Sequence, residues 1–149
     1  MPNFTNGTIK IIDSKISIPS VADNALIALP CHLDGDFDAS NSNILVSQRF
    51  PVAKTEFRLW FRSQLNFKLD QIKIITLSPS IQCAFLLSNP PSNDHIYPPL
   101  KSLSNYLRIN KLSLHMTLPS SEINKSNLIN SINELIIPQN INAYLYKNI

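Results

Sequence analysis

The chain has 149 residues, 44% hydrophobic and 15% charged, with a net charge of +3, a balance that suits one globular domain, 1–149, and excludes a disordered chain. Its only two glycines, Gly7 and Gly35, cannot form a G-x-G-x-x-G or G-x-x-x-x-G-K loop, which excludes nucleotide-driven enzymes of the common kinds. Cys31 and Cys83 are far apart and lack a C-x-x-C partner, and no apolar run approaches the roughly 18 residues of a membrane span, so the expectation is a cytoplasmic protein with no membrane contact, no disulfide framework, no metal and no cofactor.

In chain order, Thr8–Ile18 is Ile-rich and broken by Asp13-Ser14, which predicts a short hairpin. Val21–Leu29 reads equally as a helical turn or a strand, and residues 33–43 form a polar loop. Over 57–69, Phe57, Leu59, Phe61, Ser63, Leu65, Phe67 and Leu69 alternate with Arg58, Trp60, Arg62, Gln64, Asn66 and Lys68. Successive strand side chains point to opposite faces, so this period of two predicts a strand with one buried face. A helix competes, because Phe57, Phe61 and Leu65 are spaced by four, but the alternation covers more positions.

Ile72–Leu77 and Ile81–Leu87, joined by Ser78-Pro79-Ser80, predict an antiparallel hairpin. Asn89–Pro99 holds four prolines, Pro90, Pro91, Pro98 and Pro99, and predicts an extended connection. Leu100, Leu103 and Leu107 recur at helical spacing up to Asn110. Lys111–Leu118 alternates as a strand. Ser120 reads as the N-cap of a helix carrying Leu128, Ile132, Leu135 and Ile136 and ended by Pro138, with a last strand at Tyr144-Leu145. The assembled expectation is an α+β fold: an antiparallel sheet, a meander around 56–88, with the two C-terminal helices packed on one face.

Candidate chemistry is sparse. Asp34, Asp36 and Asp38 stand at alternate positions like the first ligands of a calcium loop, but Ala39 and Leu45 occupy the places of its Gly and Glu. A solvated acidic loop is the reading that remains. His115-Met116-Thr117-Leu118 resembles the H-x-[ST]-L strand motif of the two-histidine phosphoesterases. That resemblance implies an acid/base role for His115 and phosphate binding by Thr117. The family uses two such motifs, and His32-Leu33-Asp34 and His95-Ile96-Tyr97 do not supply the second. No G-x-S-x-G elbow occurs, and Glu56, Glu122 and Glu134 are the only glutamates.

The basic stretch 49–73 carries Arg49, Lys54, Arg58, Arg62, Lys68 and Lys73 against Glu56 and Asp70. On a strand, Arg58, Trp60 and Arg62 would line up about 7 Å apart on one outward face, with Lys68 beyond. Such a row suits a protein partner or a stacked, phosphate-bound single strand. The competing reading buries Trp60 under a helix with the arginines at its edge. The function expected is therefore non-catalytic: an accessory or assembly subunit docking onto a larger protein complex through Arg58, Trp60, Arg62 and Lys68. A single-stranded RNA or DNA binder using the same residues comes next, and a phosphoesterase using His115 and Thr117 is more remote.

Overall fold

A computed structural model describes residues 6–13, 24–88 and 96–147. Six strands form one mixed sheet: β1 (Ile9–Ile12), β2 (Ala25–Cys31), β3 (Ile72–Ser78), β4 (Ile81–Leu87), β5 (Ser113–Leu118) and β6 (Ala143–Lys147). Four helices are interleaved: α1 (Asn41–Arg49), α2 (Pro51–Ser63), α3 (Tyr97–Asn110) and α4 (Glu122–Leu135). The strand order is β1-β6-β5-β2-β4-β3, and every neighbouring pair is parallel except the β3–β4 hairpin.

This overturns the expected antiparallel meander with two C-terminal helices on one face. The sheet is mostly parallel and helices cover both faces. The sequence of β2, ALIALPC, carries the physical reason: an almost unbroken apolar run buried on both sides is what a central parallel strand requires. One core packs α3 and α4 against Leu26, Ala28, Leu114, Met116 and Leu145. The other packs α1 and α2 against Ile27, Leu29, Phe85, Tyr144 and Tyr146.

The expected strand at 57–69 is instead the second half of α2 and the turns after it. Ala53, Phe57 and Trp60 recur at helical spacing and are buried, Pro51 opens the helix, and Gln64 closes it in the left-handed conformation at φ 55°. Phe57 packs in tilted and edge contacts with Phe67 at 5.8 Å and Phe85 at 5.4 Å between ring centres. Aromatic packing of this kind decides between the two periods. The alternation itself does no work, since Leu59, Leu65 and Leu69 are exposed.

The β3–β4 hairpin forms where the sequence places it, with a register shift between Thr76 and Ser78. Of the expected N-terminal hairpin, the first arm, Ile9–Ile12, pairs in parallel with β6, and the second arm lies outside the described residues. The helix of Leu100, Leu103 and Leu107 is present, opened by prolines in its first turn and closed by left-handed Lys111 rather than Asn110. Ser121, one residue beyond the expected Ser120, caps α4 by accepting from the Asn124 amide. Among the described residues no helix is long and apolar enough to cross a membrane.

Helix and strand readings of 57–69 make opposite demands on neighbouring residues. Phe57→Ala should destabilise by about 3–5 kcal/mol because it empties a buried aromatic site, whereas Leu59→Ala should cost under about 1 kcal/mol. Urea unfolding of the two variants checks this.

Candidate functional site

Ligand crevices in sheets of this kind lie outside the carboxyl ends of parallel strands, where neighbouring connections leave for opposite faces. Here that position is the end of β2. Its connection leads to α1 and α2 on one face, while those from β4 and β5 lead to α3 and α4 on the other. The strands also part at this end. Pairing between β2 and β5 stops at Ile27–His115, although β2 continues to Cys31 and β5 to Leu118.

Three buried side-chain atoms without a hydrogen-bond partner border the parted ends: Asn43 Oδ1, Ser88 Oγ and Thr117 Oγ1. Asn43, in the first turn of α1, donates through Nδ2 to the Phe37 carbonyl at 2.9 Å and the Pro30 carbonyl at 3.3 Å, so its oxygen is the group left over. Ser88 is the first residue past β4, and its amide donates to the Cys31 carbonyl at 3.1 Å. Thr117 lies in the parted section of β5. A buried polar group left unpaired costs about 1–3 kcal/mol. Three at the same end of the sheet mark a region built for hydrogen bonds that the folded chain does not itself supply.

The sequence singles out Thr117 but passes over Asn43 and Ser88. One signal was available for Ser88, which is the first polar residue after the apolar run Ile81–Leu87. The acidic loop sits beside the same end. Asp34 accepts from the Asp36 amide, Asp36 accepts from the Asp38 amide, and Asp38 pairs with Lys54. All three carboxylates are thus engaged in shaping the turn. Among the described residues no three His, Cys, Asp or Glu side chains are placed to share a metal.

The residues expected to form a binding row are not brought together on one face. Arg58 and Arg62 are exposed one turn apart on α2, and Lys68 is exposed beyond it. Trp60 points the other way, 6% exposed, and donates from Nε1 to the Leu65 carbonyl at 2.9 Å. The basic, aromatic sheet face proposed for docking an accessory subunit therefore does not exist. With its one Trp in the core, α2 offers no indole platform on which a base could stack.

His115 is fully buried. Its Nε2 lies 2.8 Å from Ser113 Oγ, its Nδ1 lies 2.7 Å from the Tyr146 hydroxyl, and its ring stacks on Tyr144. Burial lowers its pKa to about 4, so the ring is neutral at physiological pH and too weak a base to activate Ser113. Burial likewise pushes both thiols up, Cys83 to about 12, which leaves them as inert core residues.

No family model and no curated protein matches the sequence. Solved structures match its shape closely. A macrodomain protein from Streptomyces coelicolor superposes with TM-score 0.82 at 19% identity, covering 94% of this chain and 99% of that one. The fold is macrodomain-like. The macrodomain of Mycobacterium tuberculosis DarG superposes with TM-score 0.71 at 12% identity, covering 94% of this chain and 97% of the other. A Bacteroides thetaiotaomicron protein of unstated function reaches TM-score 0.84 at 18% identity, over 94% of this chain and 99% of that chain. At these identities the likeness is one of architecture. It extends over nearly the whole length of both chains.

Because His115 is neutral when folded and titrates near 6.5 when exposed, the unfolded chain takes up its proton first as pH falls. Stability should be fully present above about pH 6.5 and decline progressively to about pH 4, by roughly 3 kcal/mol at about 1.4 kcal/mol per unit. Urea unfolding across this window should show the decline, and His115→Gln should flatten it.

Proposed function

We propose that this chain is a non-catalytic binding protein for an ADP-ribose-type ligand, seated in the crevice at the carboxyl ends of β2, β4 and β5. The observation that carries this reading is that Asn43 Oδ1, Ser88 Oγ and Thr117 Oγ1, buried and unpartnered, all belong to residues at the carboxyl-end side of β2, β4 and β5, where β2 and β5 part. The macrodomain-like architecture supports it, since macrodomains are an ADP-ribose-binding fold.

The residues suit one part of such a ligand better than another. A side-chain amide oxygen and two hydroxyls complement ribose hydroxyls and the donors of a base. A pyrophosphate asks for exposed backbone amides, usually on glycine, and both glycines are taken up by internal packing. A Cβ at Gly7 would meet the Ile141 carbonyl oxygen at 1.8 Å, and one at Gly35, where φ is +85°, would meet the Phe61 ring at 2.6 Å. The nearby Asp34, Asp36 and Asp38 add negative charge on that side. The nucleoside end therefore supplies the anchoring contacts.

The way the carboxylates are used supports binding over hydrolysis: a hydrolase needs a base placed to activate water, and Asp34 and Asp36 each accept a backbone amide of their own turn while Asp38 pairs with Lys54.

Calorimetric titration with ADP-ribose and with adenosine tests the proposal. Both should bind, and Ser88→Ala and Thr117→Val should weaken ADP-ribose at least tenfold while raising the melting temperature of the free protein, since each removes an unpaired buried hydroxyl. Stabilised variants that still bind like wild type would make the hydroxyls merely structural. No binding of either compound would overturn the reading, and release of ADP-ribose from a modified peptide would overturn its non-catalytic half.

A further inference from the structure

A second cleft lies at the opposite end of the sheet, by the amino ends of β2, β5 and β6. It encloses about 640 Å³, within the range of small-molecule sites, and Asn24, Arg108, Lys111, Ser113, Asn140 and Asn142 are among its lining residues. Among the described residues, no carboxylate and no aromatic ring lines it.

Much of the backbone around this cleft is already paired: the amide of Leu112 donates to the Leu107 carbonyl, that of Ser113 to Asn24, that of Leu114 to Asn142 and that of Asn140 to Ile137. Recognition therefore draws mainly on side chains. The Asn142 carboxamide oxygen is occupied by Thr8, from its amide at 3.0 Å and its hydroxyl at 3.3 Å, so this carboxamide has only its N–H groups left to offer. Arg108 is steadied by a 2.7 Å bond to Asn105 Oδ1, and its guanidinium has donors to spare. Lys111, with a left-handed backbone at φ 54°, lines the same cleft. Ser113 Oγ is fixed between the Asn24 carbonyl at 3.3 Å and His115 Nε2 at 2.8 Å.

A cation at the last turn of α3 is explained by the helix's negative end alone. That account does not reach the carboxamide side chains of Asn24, which precedes β2, and of Asn140 and Asn142 in the connection before β6, two segments outside α3. We propose that this cleft is a binding site for a small phosphate monoester of a polyol, a sugar phosphate. Arg108 and Lys111 take the phosphate and the carboxamides take the hydroxyls. With no aromatic ring among the lining residues, the site has nothing on which to stack a base, which sets its ligand class apart from that of the carboxyl-end crevice.

The experiment is a two-dimensional amide NMR titration with glucose 6-phosphate, with glucose and inorganic phosphate as separate arms. Glucose 6-phosphate should shift the Ser113, Asn140 and Asn142 amides saturably, and an Arg108→Ala/Lys111→Ala variant, with circular dichroism like wild type, should bind at least tenfold more weakly. Both side chains are exposed, so this variant folds independently of the outcome. Absence of saturable shifts, or a folded variant that binds like wild type, would overturn the site. Inorganic phosphate binding as tightly as the ester would overturn the polyol assignment. Neither result depends on ADP-ribose, whose crevice lies at the far end of the strands.

Discussion

The burial of β2 between β4 and β5 governs the rest of the molecule. A seven-residue strand of apolar side chains needs protein on both faces and a ladder on both edges. The chain meets that requirement by sending α1 and α2 to one side and α3 and α4 to the other. Once neighbouring connections diverge in this way, the strand ends cannot be closed over by a single loop. The parting of β2 and β5 beyond Ile27 and His115 thus goes with how the core is covered, before any ligand is considered.

Several elements were legible from the sequence because local and tertiary demands agree there. The hairpin at 72–87, the helix of Leu100, Leu103 and Leu107, and the β-α-β tail each carry a pattern that packing then uses. The stretch 57–69 failed because two periods coexist in it. Alternation spans more positions, but the helical period selects Phe57 and Trp60, the side chains that meet Phe67 and Phe85. Volume buried outweighs number of matches. The parallel sheet was missed for a related reason: a continuous apolar run such as β2 has no period to read, and its pairing partners are remote in sequence.

The candidate site was less legible than the fold. Asn43 and Ser88 look like ordinary loop residues until the strand ends are assembled around them, and the hydroxyl of Thr117 belongs to a motif whose histidine turns out to be a core residue. Residues with conspicuous chemistry, the Arg-Trp-Arg row and the acidic triplet, prove to be a helix surface around a core indole and a self-bonded turn. What is left unpaired after folding is something no spacing rule reports.

The left-handed positions carry a different lesson. Gln64, Asn66, Asp70, Lys111 and Asn140 all hold positive φ without being glycine. An ordinary side chain in that conformation costs roughly 1 kcal/mol or more, with Asn and Asp the most tolerant. These turns are held in place by the packing on either side of them rather than by their own preference. The chain consequently keeps a reserve of stability that it has not drawn on, which a designer could add back at a turn such as Gln64 without altering Lys111 and Asn140 of the amino-end cleft.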